Sequence, residues 1–397
     1  QAIFEMVDDN DDQDRQVDWQ RIGSGASADR FVFPGWDENN DFIADYNQNN
    51  VELVRPNLKP DWEEPFLRYN VDRPEFLFGV DMNNNGVSDR FENDDEPDYP
   101  YRRDRRGYNI YGGAFMGPWA KLTVGRLDER QLADDRDNQT TYALVTYERD
   151  FARLGKLRVY ENLRRVQDDI KDNLLVWRIA DGIAGEIVPF EDPLPMRDAW
   201  ANTVYAQFDV KRWESINVIN KFKYEFIDQI DYQDQIASRR VLPSEDIRET
   251  ASFLGLINKA DYTHQLGGVT IQPRWKSEFQ RLVPSLKESQ FQRATTELRE
   301  SAFLIMRFPF LSRSALQLGT EYLWTKQFRD SAKETLEGSP RNELVGALQV
   351  MNRTAYQGYE VFTEFGLRVS RIDIDILEDA QTETFIFFAM YAGFGSF

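Results

Sequence analysis

The chain has 397 residues and a formal net charge of −20 at pH 7, with 68 acidic and 48 basic side chains. This balance argues against nucleic-acid binding, which needs a basic surface for phosphate contacts. The absence of cysteine excludes disulfides, thiolate metal ligands and a cysteine nucleophile. The sequence contains no run of about 18 apolar residues, so it predicts no membrane-spanning helix. The chain begins at Gln1 without a signal peptide, so we expect a processed or truncated product.

Residues 1–107 are rich in Asp, Asn, Pro and Arg and contain only short apolar pieces, so they make a poor hydrophobic core. Within this region, residues 31–41 are repeated by residues 76–85, with one additional Pro in the first copy. We therefore predict two units. Residues 1–107 form an acidic, loop-rich region with two related loops, and residues 108–397 form the second unit.

The second loop has the spacing of a calcium site. Gly86 stands at position 6 of a twelve-residue loop, where the backbone must turn sharply. Six candidate oxygen ligands occupy positions 1, 3, 5, 7, 9 and 12, namely Asp81, Asn83, Asn85, Val87 through its carbonyl, Asp89 and Glu92. Hard oxygen ligands at this spacing predict Ca²⁺ rather than a transition metal. The alternative is an Asn- and Asp-rich turn that holds no ion.

The first loop keeps part of the same pattern. Its candidate ligands are Asp37, Asn39, Asp41 and Asp45. Phe42 replaces the glycine and Gln48 replaces the bidentate carboxylate, so a calcium site and an ion-free turn both remain open.

Both loops resemble EF-hand and thrombospondin type 3 calcium loops over about 12 residues each. The sequence before the second loop departs from an EF-hand, because Pro74 and residues 76–78 look extended rather than helical. The resemblance therefore implies a structural ion that orders a loop, not a calcium sensor.

From about Pro118 onward, apolar and polar residues alternate, which indicates β-strands with one apolar and one polar face. In residues 269–280, one face carries Trp275 and Phe279 and the other carries Lys276 and Glu278. Most of these runs exceed the usual soluble strand of about 5–6 residues. The pattern predicts strands near 119–127, 139–149, 155–166, 199–212, 216–229, 250–262, 268–282, 293–308, 314–328, 343–353, 358–374 and 382–397.

Short turns alternate with longer, charged loops between these runs, as in membrane barrels. The predicted fold is all-β, a transmembrane antiparallel up-and-down β-barrel of about 12 strands with both ends on the periplasmic side. Residues 108–115 and 174–177 could add strands, so 14 or more are possible. A soluble β-sandwich would have shorter strands and no reason for alternating loop lengths.

The end of the chain, from Gln381 to Phe397, gives an independent indication. Phe397 is the last residue, Tyr391 stands six residues before it, and apolar or small residues alternate between them. This ending resembles the C-terminal signature of bacterial outer-membrane β-barrels, which implies a bacterial outer-membrane location and contact with its lipid. The alternative is a buried edge strand that happens to end in Phe.

The polar strand faces are predicted to point into the barrel with charges of both signs. The residues concerned are Lys221, Lys223, Glu225, Arg274, Lys276, Glu278 and Glu321. Such charges can line a pore or lock the wall by ion pairs, and the negative net charge would favour cations in a pore. Trp119, Trp200 and Trp213 fall near strand ends, where interfacial aromatic residues are expected.

Some outer-membrane barrels are hydrolases, and one such family combines a barrel with calcium. Such a site needs a histidine beside a serine nucleophile. His264 is the one histidine of the chain, lacks a serine two residues later and falls in a predicted short turn. The sequence therefore disfavours an enzyme.

Two functions remain from these observations. The first is a porin-like channel or transporter with a calcium-stabilised N-terminal plug or cap. The second is a structural or assembly barrel whose calcium-binding region docks another envelope or surface protein without transport. A soluble, secreted calcium-binding β-protein is a third, weaker alternative.

Overall fold

In the computed structural model, the described part of the N-terminal region comprises Leu67–Tyr69, Asp72, Phe76 and Phe78. The description then continues over 105–394, with gaps at 134–135, 171–173, 180–184, 191–197, 214, 231–248, 286–293, 312, 330–332, 334–338 and 357–358. Both predicted calcium loops lie outside the described residues.

Sixteen strands occupy the described part of 105–394. The first eight are β1 Arg105–Phe115, β2 Ala120–Gln131, β3 Asp137–Phe151, β4 Gly155–Asp168, β5 Leu174–Ile179, β6 Gly185–Phe190, β7 Asp198–Trp213 and β8 Ile216–Gln229. The others are β9 Thr250–Tyr262, β10 His264–Leu266, β11 Val269–Val283, β12 Thr295–Leu311, β13 Ser314–Gln327, β14 Arg341–Tyr356, β15 Tyr359–Ile374 and β16 Gln381–Phe394. A short 3-10 helix, Leu67–Tyr69, precedes them.

Fourteen of these strands form one antiparallel sheet in which neighbours in sequence are neighbours in space. The pairing order is β1-β2-β3-β4-β7-β8-β9-β11-β12-β13-β14-β15-β16, and the short β10 pairs with β11. The hairpin β5–β6 forms a separate two-stranded sheet within the connection from β4 to β7. The all-β, up-and-down antiparallel fold predicted from the alternation is therefore confirmed.

All twelve predicted runs are strands, and the structure adds to them. Residues 108–115 lie in β1, and residues 174–177 lie in β5. β1 is an additional strand before the first predicted one. It begins at the side of the sheet where the longer connections lie, whereas β16 stops at the opposite side, where the short connections lie. The prediction that both ends lie on one side was therefore wrong for this sheet.

From β3 onward the connections follow the predicted alternation, whereas the predicted longer connection near 128–138 is only five residues, 132–136. Only two or three residues separate β3 from β4, β7 from β8, β10 from β11, β12 from β13 and β14 from β15. Longer connections occupy 169–197, 230–249, 284–294 and 328–340. Gly267 and Gly268 have φ angles of 55° and 89°, which a residue with a side chain adopts at a cost, so this turn depends on glycine.

One face of the sheet is apolar and exposed. It carries large side chains from nearly every strand, including Ile110, Val124, Leu163, Tyr224, Leu256, Trp275, Leu304, Tyr322, Leu344, Phe365, Ile386 and Phe388. Three tryptophans are also exposed and lie near strand ends, as predicted. Trp119 lies just before β2, Trp200 lies near the start of β7, and Trp213 is the last residue of β7. An exposed apolar face of this kind is favourable where lipid, not water, surrounds the sheet.

The opposite face is polar and buried, and it carries all seven of the predicted inward charges. Lys221, Lys276, Glu278 and Glu321 are each at most 5% exposed. Three clusters of buried apolar residues on this face form around three residues of the N-terminal region, Tyr69, Phe76 and Phe78. No helix among the described residues is long and apolar enough to cross a membrane.

Candidate functional site in the barrel interior

The candidate site lies where the N-terminal region meets the polar face of the sheet. We call the described residues Leu67–Tyr69, Asp72, Phe76 and Phe78 the interior segment. These residues contact side chains of β4, β7, β8, β9, β11, β12, β13 and β14. Eight successive strands thus turn the same face to one short segment, so the sheet wraps around it.

Asp72 lies at the centre of the site and is 3% exposed. Its Oδ2 lies 2.7 Å from Lys221 Nζ, and its Oδ1 lies 2.8 Å from Lys259 Nζ and 3.0 Å from Lys276 Nζ. The three lysines belong to β8, β9 and β11, which are neighbours in the sheet. We call Lys221, Lys259 and Lys276 the lysine site.

The charge of Asp72 depends on these neighbours. Burial alone would raise the pKa of its carboxyl group, but the ammonium groups of Lys221, Lys276 and Lys259 outweigh burial and hold the pKa well below its usual range. Asp72 is therefore ionised at neutral pH.

Arg68 binds an acidic part of the wall. Its Nη1 contacts Glu321 of β13, and its Nη2 donates a hydrogen bond of 2.9 Å to Glu343 Oε2 of β14. Burial alone would lower the pKa of the guanidinium group, but these two carboxylates raise it. The interior segment thus presents a cation to a glutamate pair and, four residues later, an anion to the lysine site.

Tyr69 connects the two charged contacts. Its hydroxyl donates a hydrogen bond of 3.0 Å to Asp261 Oδ2 of β9, and its ring packs edge-on against Phe303 of β12. The Arg274 guanidinium lies over the same ring, 5.1 Å from its centroid. Burial and the nearby Asp261 carboxylate raise the pKa of Tyr69, so its hydroxyl keeps its proton.

Two phenylalanines complete the segment. The Phe76 ring packs edge-on against Phe253 with centroids 5.4 Å apart, and the Phe78 ring lies 5.6 Å from Tyr160 and 6.1 Å from Tyr205. Apolar and charged contacts therefore alternate along the segment, which fixes both its position and its direction.

Gly255 of β9 makes room for Phe76. A Cβ at this position would lie 2.7 Å from the Phe76 ring, so we expect Gly255→Ala to displace Phe76 and to speed chymotrypsin cleavage after it. Gly346→Ala is the matched control, because a Cβ there meets nothing within 4 Å. Cleavage is measured by mass spectrometry of the released fragment. Equal rates in the two variants would contradict the packing of Phe76 against β9.

Sequence reasoning identified part of this site. It placed Lys221, Lys276 and Glu321 on the inward face, and the structure brings them to Asp72 and Arg68. It missed Lys259 and Glu343, and its prediction of an N-terminal plug or cap did not indicate which of residues 1–107 contact the wall. From the sequence, residues 76–78 are an extended apolar stretch before a calcium loop, and no motif distinguishes Asp72 from the many other acidic residues of 1–107.

The calcium ligands predicted from the two loops lie outside the described residues. They are Asp37, Asn39, Asp41, Asp45, Asp81, Asn83, Asn85, Val87, Asp89 and Glu92. Within the described part of the chain, no group of three His, Asp or Glu side chains is arranged to hold a metal ion. The calcium sites remain predictions.

His264 lies in the short strand β10, not in a turn as predicted, because the β9–β11 pairing resumes after Thr263. Its ring stacks on Tyr262, whose hydroxyl lies 3.2 Å from Nδ1.

The geometry defines the class of protein. Long up-and-down strands with apolar side chains outside, charged side chains inside and alternating connection lengths are the construction of a bacterial outer-membrane β-barrel. The protein is therefore located in the outer membrane.

Comparisons with known proteins find solved structures of low similarity to this chain. OmpT, an outer-membrane protein of Vibrio cholerae, in its trimer form, covers 73% of this chain and 99% of its own length, at 9% identity and a TM-score of 0.28. The β-domain of the Bordetella autotransporter BrkA covers 71% of this chain and 98% of its own length, at 11% identity and a TM-score of 0.26. No protein-family profile and no curated protein sequence matches the chain.

Proposed function

We propose that the protein is a porin-like channel or transporter whose passage is closed by the interior segment, and that calcium held by residues 81–92 stabilises the N-terminal region around this plug. The observation that supports the proposal is the burial of Asp72 against three ammonium groups from three strands. A barrel that needs only a filled interior can fill it with side chains of its own wall.

The chemistry of the contacts favours a plug over a permanent filling. Burying charges costs desolvation, and apolar side chains of the same volume usually stabilise a protein as well or better. Charged contacts are instead directional. When a segment leaves, the charged groups that it releases can be solvated by water. Arg68 and Asp72 thus suit a segment that docks in one position and is released.

Conductance in planar bilayers tests this function. We expect few or small current steps from the wild-type protein, and larger, more frequent steps from Arg68→Ala/Asp72→Ala, because the double variant loses both charged contacts of the segment. Glu225→Gln is the matched control. Its carboxylate lies on the same interior face but pairs with Lys223 at 3.2 Å instead of with the segment.

The same bilayers test the calcium prediction. A chelator is expected to increase opening of the wild-type protein, and Asp81→Asn/Glu92→Gln is expected to show the increased opening without a chelator. Absence of current steps from every variant would favour the alternative function, a structural or assembly barrel whose N-terminal region docks a partner. Steps that do not respond to the Arg68 and Asp72 substitutions would exclude the segment as the plug.

A further inference from the structure

Glu161 is an exception on the apolar outer face. It lies on β4, is exposed, and stands directly opposite Val145 of β3 and Val204 of β7. The nearest outward residues of its own strand are Val159 and Leu163. Among the described residues, none donates a hydrogen bond to its carboxylate or forms an ion pair with it. A charged group among aliphatic side chains on a lipid-facing wall is costly, and such groups commonly have a function.

Glu161 lies deep within the apolar outer face. Its ladder neighbour Val204 is four residues from Trp200 and nine residues from Trp213 along β7, and both tryptophans are exposed near the ends of that strand. At about 3.3 Å per residue and a strand tilt of about 35–45°, Glu161 is roughly 10 Å or more from the level of either tryptophan. Lipid at this depth consists of acyl chains, which form no hydrogen bonds. The partner of Glu161 is therefore expected to be a protein group.

A second polar group lies on the same outer face, on β9. Asn258 is half-buried, two residues from the exposed Leu256 on the outward side of the strand. Its amide makes no hydrogen bond within the part of the chain that the structure describes. Its ladder neighbours are Asn220 of β8 and Ser277 of β11, which are also polar. Asn258 is thus the centre of a polar patch that can donate hydrogen bonds, whereas an ionised Glu161 accepts them.

Glu161 and Asn258 lie at nearly the same depth. Strands of a membrane barrel are tilted, so a row of ladder neighbours climbs toward one rim. Here the row climbs toward the longer connections, because Gly155 at the start of β4 pairs with Val210, three residues inside the end of β7.

The row from Glu161 passes through β7 and β8 and reaches Leu254 on β9. These three steps between strands raise the row by about 8–10 Å. The four residues from Leu254 to Asn258 lead back toward the short connections and lower it by about 9–11 Å. The acceptor and the donor therefore face lipid at matching heights.

We propose that Glu161 of one copy accepts a hydrogen bond from Asn258 of the next copy, so that barrels associate side by side in the membrane. The two positions lie about 20 Å apart around the barrel, roughly a quarter of its circumference. The contact is therefore head-to-tail, and at this angle it closes into a ring of three or four copies. It depends neither on the interior segment nor on any passage.

Cross-linking between copies tests the proposal. Val204→Cys and Leu256→Cys each place one thiol beside one of the two groups and keep Glu161 and Asn258, and the natural chain has no cysteine. The two full-length variants are produced together, with tags of different size, in one bacterial outer membrane, where all copies face the same way. A short bis-maleimide is expected to join one variant to the other. Each variant produced alone is expected to remain uncross-linked, because a head-to-tail contact does not bring two equal patches together.

Removing the acceptor tests the role of the hydrogen bond. Adding Glu161→Ala to the Val204→Cys chain is expected to lower the cross-linked fraction about tenfold, because a hydrogen bond to a charged group is lost. Adding Asn258→Leu to the Leu256→Cys chain is expected to have the same effect. Thr320→Ala in the Val204→Cys chain is the matched control, since Thr320 is an exposed polar residue on the outer face of β13, outside both patches. Heat-modifiable gel mobility confirms that each variant is folded.

Three results would overturn the proposal. Equal cross-linking within the Val204→Cys population alone would mean a two-fold contact or random collision. No cross-link between the two variants would mean that lipid or another protein covers both patches. An undiminished yield after Glu161→Ala, or an equal loss after Thr320→Ala, would remove Glu161 from the contact. None of these results bears on the proposed passage, which conductance tests separately.

Discussion

Replacing Asp72 with asparagine is expected to release the interior segment while leaving the strands paired. The substitution leaves the ammonium groups of the lysine site buried without their shared anion, and breaking a buried ion pair from one side costs about 3–5 kcal/mol. Hydrogen exchange of peptides that cover residues 67–78 should therefore accelerate by about two to four orders of magnitude. Peptides from β8 and β9 should change much less, because their ladder hydrogen bonds remain.

Glu225→Gln is again the control, since it removes a carboxylate from the same face without touching the segment. Unchanged exchange of the segment in Asp72→Asn would contradict the account, and so would equal acceleration in the control.

The same contact has a defined dependence on pH. The folded pKa of Asp72 is depressed, so its contribution to docking is fully present above the ordinary carboxyl pKa of about 4 and is lost only as pH falls through the lower folded value. Exchange protection of the segment is therefore expected to be insensitive to a change from pH 7 to pH 5.

Placing a charge on the outer face of β9 is expected to destabilise the whole barrel. Leu256 is exposed on the apolar face, and its ladder neighbours are Phe222 of β8 and Phe279 of β11. Arginine at the midplane of a membrane barrel costs about 2–4 kcal/mol, and near the interface about 0–1 kcal/mol. Leu256→Arg should lower the free energy of unfolding in lipid vesicles by about 2–4 kcal/mol, the cost at the midplane.

Leu132→Arg is the matched control, because Leu132 is an exposed leucine just after the end of β2. We expect it to cost little in the same denaturant titration. Similar, small effects of both substitutions would mean that water, not lipid, surrounds the sheet, and would favour the soluble β-protein.

The sequence predicted the wall of the barrel well. Alternation is a local signal, and it located β8 at 216–229 and β9 at 250–262, the same bounds that the structure has. It also assigned the inward face correctly, because a period of two leaves only two possible assignments for each strand. β1 was harder to predict, since Gly107, Gly112 and Gly113 interrupt its pattern.

The sequence suggested an N-terminal plug or cap, but the residues of the interior segment could not be predicted from it. Asp72 acquires its role from lysines that are 149, 187 and 204 residues away in the chain, and no local pattern encodes contacts at such separations. Lys259 was overlooked although it lies on the inward face of a predicted strand. Its importance depends on Lys276 standing opposite it, and this register becomes known only from the pairing of β9 with β11.

The central claim is that the interior segment lies inside the barrel, and cross-linking tests it most directly because the chain has no cysteine of its own. In Phe76→Cys/Phe253→Cys the two positions belong to rings 5.4 Å apart, one on the segment and one on β9. A short bis-maleimide should join them in the folded protein. Phe76→Cys/Phe365→Cys, with its second position on the outer face, should not be joined. Cross-linking of the first pair alone is the predicted result, whereas no cross-link, or equal cross-linking of both pairs, would contradict the account.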